Sequence, residues 1–293
     1  MCRWMGWSGQ PLIVEELLFK PKHGLVDQSL HSRMGVETTN GDGFGLGWYG
    51  QGDGPGVYHG VAPAWGDENL RELASHIEST MFLAHVRATT GTAIQQTNCH
   101  PFRHGRWLFV HNGVIAGFEA MRRDLMLAVA PELFAGIKGS TDSEVLFHLA
   151  LTFGLEQDPI AALELAIGLV EATAARYGIE HAVQASVGVT DGKRLWAFRY
   201  STEGRSRTLF VSADASAVRR LHPENERLQA LRDEDRVVVS EPLADLEGVW
   251  KEIPESTVLV VQPGPDVQRP FHPHHDPARG NGAPEHRAAP ATS

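Results

Sequence analysis

Apolar and polar positions change period several times along this chain, and each change predicts an element. Leu70, Leu73, Ala74 and Ile77 share one helical face, which predicts a helix over 68–78. Residues 13–19 predict a shorter helix ending before Pro21, and 21–39 reads as mostly loop. Asn40-Gly41-Asp42-Gly43 is a turn signal leading into 44–49, a strand that alternates large residues with glycine. Glycine inside a strand implies a close approach to its backbone. Two apolar strands, 81–86 and 107–110, end in polar residues, Arg87 after the first and His111-Asn112-Gly113 after the second.

Helical spacing returns at 118–129, stopped near Pro131. Thr141-Asp142-Ser143-Glu144 fits a capping box, with Thr141 as cap and Glu144 reaching back, ahead of a helix running to about 153. Pro159 starts another helix, which Gly178 ends. Val183, Ala185, Val187 and Val189 alternate, and Asp191-Gly192 turns the chain into 194–200 as a hairpin. Further strands are predicted at 209–212, 236–240 and 257–261. From Pro263 the chain turns rich in Pro, His, Gly and Ala, and 263–293 is expected to be a disordered tail whose histidines are solvated. The pattern by itself says mixed α and β with hairpins.

Composition narrows the function. The 293 residues are 42% hydrophobic and 21% charged, with a net charge of −10. A soluble globular protein fits, and nucleic acid or an anionic membrane is not an expected partner. Two cysteines, Cys2 and Cys99, exclude a disulfide framework and favour a cytoplasmic setting. No signal peptide or apolar run of membrane-spanning length is read. Cys2 follows the initiator methionine directly. Removal of Met1 would leave a thiol and a free α-amine on one residue, a nucleophile with its own base.

Cys2 behind a removable Met, Ala84-His85-Val86-Arg87-Ala88-Thr89-Thr90-Gly91, Asn98-Cys99-His100-Pro101-Phe102 with Val110-His111-Asn112-Gly113, and Ser140-Thr141-Asp142-Ser143-Glu144 resemble, in this order, the class II glutamine amidotransferases. These are N-terminal-nucleophile hydrolases. Cys2-Arg3-Trp4-Met5-Gly6-Trp7 and Ser240-Glu241-Pro242 are most like the stand-alone members, such as the ergothioneine-pathway γ-glutamyl amidohydrolase. The resemblance covers residues 2–262 as one domain. It implies an α+β fold, an αββα sandwich of two antiparallel sheets between helical layers.

The resemblance also implies roles. Cys2 would attack the side-chain amide of glutamine or a γ-glutamyl compound and form a thioester. Asn112 and the Gly113 N–H would hold the oxyanion. Arg87, with Thr90, would bind the substrate α-carboxylate, and Asp142 its ammonium. Gly91 stands where many members carry His. Neither cofactor nor metal is implied, and the N-terminal amine makes a Cys–His dyad with His85 or His100 unnecessary. Those histidines are expected to be packed or hydrogen-bonded within the fold, and Cys99 to be a small buried thiol. Three alternatives stand beside the stand-alone hydrolase: a glutaminase subunit feeding ammonia to a separate synthase, a catalytically silent binding module, and metal or redox chemistry, for which no Cys-x-x-Cys pair is present.

Overall fold

The computed structural model describes residues 2–34, 39–89 and 91–277. Among the described residues thirteen strands form two sheets. They are β1 Arg3–Ile13, β2 Phe44–Trp48, β3 Gly56–Gly60, β4 Glu78–Val86, β5 Phe102–His104, β6 Trp107–Ile115, β7 Val183–Thr190, β8 Leu195–Ser201, β9 Phe210–Ser212, β10 Arg236–Val239, β11 Trp250–Glu252, β12 Thr257–Val261 and β13 Val267–Pro270. One sheet runs β11-β9-β10-β1-β4-β2-β3, the other β13-β12-β8-β7-β6-β5, and the strand pairs are antiparallel.

Alternation along the strands builds the layers. Trp4, Met81, Leu83, Leu108, Val110, Leu195 and Ala197 pack into one cluster between the sheets. Their neighbours Met5, Phe82, Ala84 and Val86 face outward onto Leu18, Leu25, Leu70 and Ala74 of three helices. Phe109, Val187, Val189 and Phe198 face outward on the other side, onto helices Phe118–Leu127, Asp142–Thr152 and Pro159–Arg176. Helix, sheet, sheet and helix thus stack as the αββα sandwich that the resemblance implied. The outer helices differ in pattern because their surroundings differ. Glu68–His76 is amphipathic, with Leu70 and Ala74 buried, whereas Val145 to Leu151 are buried without interruption.

The expected glycine-rich strand is β2. A Cβ on Gly45 would lie 2.0 Å from the His100 carbonyl oxygen, so the segment after Cys99 crosses directly over this strand. Several boundaries differ from the sequence pattern. The 13–19 segment is a helix only over Glu15–Leu18, because β1 continues to Ile13 by pairing Leu12 with Ser79 and Ile13 with Glu78. Within 21–39, Leu25–Leu30 is helical and buries Leu25 and Val26. His111-Asn112-Gly113 is not a strand end. β6 runs through it to Ile115, paired residue for residue with β7.

The tail also differs. Residues 267–270 form edge strand β13 against β12, and Phe271 is fully buried against Phe198 and Tyr200. His274 N–H donates to the Glu164 carbonyl. Order therefore extends past Pro263, since one buried aromatic and a strand edge outweigh a polar composition. The remainder of the tail, 278–293, lies outside the described residues.

Candidate functional site

Strand parity turns Cys2, Arg87 and Asn112 toward the space between the sheets. In β1 the even positions, such as Trp4, point between the sheets, and Cys2 continues that alternation. In β4 the odd positions do so, and Arg87 continues them. In β6 the even positions Leu108 and Val110 do so, followed by Asn112. Arg3 pairs with Val86, which sets Cys2 beside Arg87 across the ladder. Trp4 Nε1 donates to Ser186 Oγ at 2.9 Å, and Ser186 is the β7 partner of Asn112. That bond ties the start of β1 to the strand pair carrying Asn112.

The Cys2 thiol is half-buried and its Sγ lies 3.5 Å from the Ala88 carbonyl oxygen. Burial pushes its pKa up. The Arg87 charge works against that rise and the Asp142 charge adds to it.

Arg87 is 3% exposed. Its guanidinium donates to the Asp42 carbonyl at 3.3 Å, to Thr89 Oγ1 at 3.3 Å and to Thr92 Oγ1 at 2.6 Å. Among the described residues these partners are all neutral. Asp42 also accepts the Thr89 N–H at 2.8 Å on its carboxylate, which folds the 40–43 turn against the loop after β4. Thr90, the predicted second contact to the substrate carboxylate, lies outside the described residues, as does Met1. Asn112 is buried, and Gly113 is the one residue type its site tolerates. A Cβ there would stand 1.9 Å from the Gln184 carbonyl oxygen and 2.4 Å from His111 Nε2.

Asp142 opens helix Asp142–Thr152. One carboxylate oxygen accepts the Ile115 N–H at 2.8 Å, from the end of β6. The other accepts the Ser143 N–H at 2.7 Å and the Ser143 hydroxyl at 3.1 Å. His111 Nδ1 lies 2.8 Å from the same Ser143 hydroxyl, while its Nε2 is 3.4 Å from the Gln184 carbonyl oxygen. With Nδ1 protonated, His111 donates to Ser143 and Ser143 to Asp142. Burial holds the His111 pKa down, opposed by the Asp142 charge. Thr141 caps the helix as expected, accepting the Glu144 N–H at 3.2 Å. The Glu144 carboxylate does not close a capping box. It takes the Lys138 and Gly139 N–H groups instead, at 2.8 and 2.7 Å, and so folds the loop before the helix.

His85 and His100 pack ring on ring, 4.2 Å apart, and among the described residues their four ring nitrogens are buried with no partner in good hydrogen-bond geometry. Burial lowers the His85 pKa to about 3 and takes His100 well below its ordinary value, so both are neutral packing groups. Cys99 is buried, and burial lifts its pKa to about 11. A cleft of about 420 Å³ lies behind Cys99, lined by His59, Arg103, Lys138 and His148 among others, and does not include Cys2, Arg87, Asn112 or Asp142. Among the described residues no group of three or more His, Cys, Asp or Glu could hold a metal ion. No described helix is long and apolar enough to cross a membrane.

The sequence pattern assigns no role to three residues that the structure ties to this site. Ser143 and His111 are visible there only as parts of a helix cap and of the His-Asn-Gly motif. Glu241 is visible only inside Ser240-Glu241-Pro242. It lies just beyond β10, is 1% exposed, and receives Arg3 Nε at 3.0 Å.

The family model described as "Glutamine amidotransferases class-II" matches residues 25–280. The curated protein named "Probable glutamine amidotransferase DUG3", from Saccharomyces cerevisiae, is 33% identical over 89% of this chain and 82% of its own length. "Gamma-glutamyl-hercynylcysteine sulfoxide hydrolase" of Mycolicibacterium smegmatis is 29% identical over 92% of this chain and 100% of its own. The solved structure of a glutamine aminotransferase class-II domain protein from Silicibacter pomeroyi superposes with a TM-score of 0.71 at 33% identity, covering 93% of this chain and 99% of that one.

Proposed function

The chain belongs to the class II glutamine amidotransferases and is an enzyme of their amidohydrolase type; on that premise we propose that it is a stand-alone hydrolase of a γ-glutamyl amide, working through Cys2 as an N-terminal nucleophile. The observation that carries this reading is the strand register that sets Cys2 beside the buried cation Arg87. Arg87 is a buried cation with neutral partners among the described residues, and Asp142 carries a carboxylate held by N–H and O–H donors. A buried charge without a counter-charge is costly. The α-carboxylate and α-ammonium of a glutamyl head supply both counter-charges at once. Arg87 presents a planar fork to the first, and Asp142 keeps acceptor capacity for the second.

In the proposed cycle Met1 is absent, and the Cys2 α-amine takes the thiol proton. Sγ attacks the substrate's δ-carbonyl carbon, and the carbonyl electrons move to oxygen. The Asn112 side-chain amide and the Gly113 N–H stabilise that oxyanion. The C–N bond then breaks, the leaving amine takes a proton from the Cys2 ammonium, and a thioester remains. Water attacks the thioester carbon, the C–S bond breaks, and the γ-carboxylate departs as thiol and amine are restored. The hydrolase reading is favoured over ammonia delivery because a relative bearing "hydrolase" in its name matches along its full length.

Head-group recognition makes the test direct. Glutamine and γ-glutamyl amides are hydrolysed, whereas N-acetylglutamine and the α-esters are poor substrates. Losing one charge-assisted hydrogen bond of this kind costs about 1.5–3 kcal/mol, or roughly 10- to 150-fold in kcat/KM. Equal rates on glutamine and N-acetylglutamine sink the assignment of Asp142, and equal rates on glutamine and its α-ester sink that of Arg87.

A further inference from the structure

The Ser240-Glu241-Pro242 motif has no part in the chemistry above, yet it grips the first residues of the chain. Ser240 clasps Trp4 from both sides: its hydroxyl accepts the Trp4 N–H at 3.0 Å and its own N–H donates to the Trp4 carbonyl at 3.0 Å. Glu241 sits on the opposite face of the strand, where Arg3 points. Its Oε2 accepts Arg3 Nε at 3.0 Å, the Ser32 hydroxyl at 3.1 Å and the Met34 N–H at 3.1 Å. Its Oε1 accepts the Arg33 N–H at 2.8 Å and lies 2.5 Å from His23 Nε2. Five groups from three segments therefore converge on one buried carboxylate. Arg3 then turns back along the chain. One guanidinium nitrogen donates to the Cys2 carbonyl at 2.9 Å, and another bonds the Ser32 hydroxyl and the Met34 carbonyl.

This arrangement matters because of where Cys2 lies. Once Met1 is removed, Cys2 has no preceding residue to hold it. β1 pairing begins at Arg3. The Cys2 carbonyl carbon is bonded to the Cα from which both thiol and amine branch, so orienting that carbonyl restrains the origin of both reacting groups. The guanidinium that orients it is itself fixed by Glu241. We propose, building on the functional reading above, that Glu241 is a positioning residue for the nucleophile. Acting through Arg3, it holds the Cys2 backbone where the thiol faces Arg87 and Asn112.

Two readouts on the full-length chain decide this. In Glu241→Gln, active sites are counted by covalent labelling of Cys2 with a diazoketone analogue of glutamine, and turnover is expressed per labelled site. The expected result is a fall in kcat of about tenfold to a hundredfold with KM little changed, since misplacement by about 1 Å can cost that much. Independently of activity, backbone hydrogen exchange is expected to accelerate at Arg3–Met5 while β6, β7 and β8 keep their protection. Should Glu241→Gln fail to fold, Ser32→Ala removes one donor to the carboxylate and one partner of Arg3, and the same pattern is expected in weaker form. Unchanged kcat per labelled site overturns the proposal, as does exchange that rises evenly through both sheets. A wild-type protein that turns over neither glutamine nor γ-glutamyl amides refutes the functional reading instead. The exchange pattern then still decides whether Glu241 holds the N-terminus.

Discussion

Acid should weaken the Glu241 junction progressively as pH falls from about 4.5 toward 2. Burial alone would raise the pKa of this carboxyl, but hydrogen bonds from His23, from the Arg33 and Met34 N–H groups and from Arg3 together outweigh that and hold it at about 2, against an ordinary 4.5. The folded-state value lies below the unfolded one. Stabilisation is therefore complete above about pH 4.5 and is lost as pH falls toward 2. At about 1.4 kcal/mol per pH unit the full effect is about 3 kcal/mol, of which about 2 is lost by pH 3. Urea unfolding of wild type and Glu241→Gln at pH 5.5 and pH 3 isolates it, because the other carboxyls titrate in both proteins. Wild type should lose about 2 kcal/mol more than the variant over that interval. The variant starts lower, since removing one partner of a buried ion pair costs about 3–5 kcal/mol. Equal losses in the two proteins would show that the fold does not hold Glu241 ionised.

Four other outcomes bear on the site. Intact mass of the active, cell-expressed protein should lack Met1, and activity in protein that keeps it would contradict the amine-assisted attack. Asn112→Ala should lower kcat by about 10²–10³ with a far smaller change in KM, because the oxyanion exists only after attack; unchanged turnover removes Asn112 from the oxyanion site. Ser143→Ala breaks the link from His111 to Asp142 and deletes one donor to the carboxylate, so KM for glutamine should rise several-fold, on the order of 1 kcal/mol, while kcat stays close to wild type. Arg87→Lys keeps the charge but not the fork, and kcat/KM should fall by about 1–3 kcal/mol; a variant as active as wild type would show that geometry at Arg87 is immaterial.

Much of the scaffold is legible in the amino-acid pattern alone. Alternation at Val183–Val189, the Asp191-Gly192 turn, the helical stripe of Leu70, Leu73 and Ala74, and the Thr141 cap all appear where local periodicity puts them. Each is decided within a few residues by side-chain period and hydrogen-bonding habit, which the chain carries locally. Glycine in β2 also announces the close approach of the Cys99–Pro101 segment. The same local rules misjudge Ile13 and the His111-Asn112-Gly113 stretch. Whether a strand continues depends on the partner it meets, and those partners, Glu78 at the start of β4 and Ala185 to Val187 of β7, are distant in sequence.

The residue types of the candidate site are equally readable, down to Cys2, Arg87, Asn112 and Asp142. Their convergence is not. For Cys2, Arg87 and Asn112 it follows from register, because a one-residue slip in β1, β4 or β6 would turn these side chains onto the helical faces. Nor could the chain by itself reveal that Arg3 and Glu241, 238 positions apart, share one buried carboxylate contact. A charged residue read in isolation is a solvated surface group. Burial, which multiplies what each charge costs and what each hydrogen bond to it returns, is a property of the folded arrangement alone.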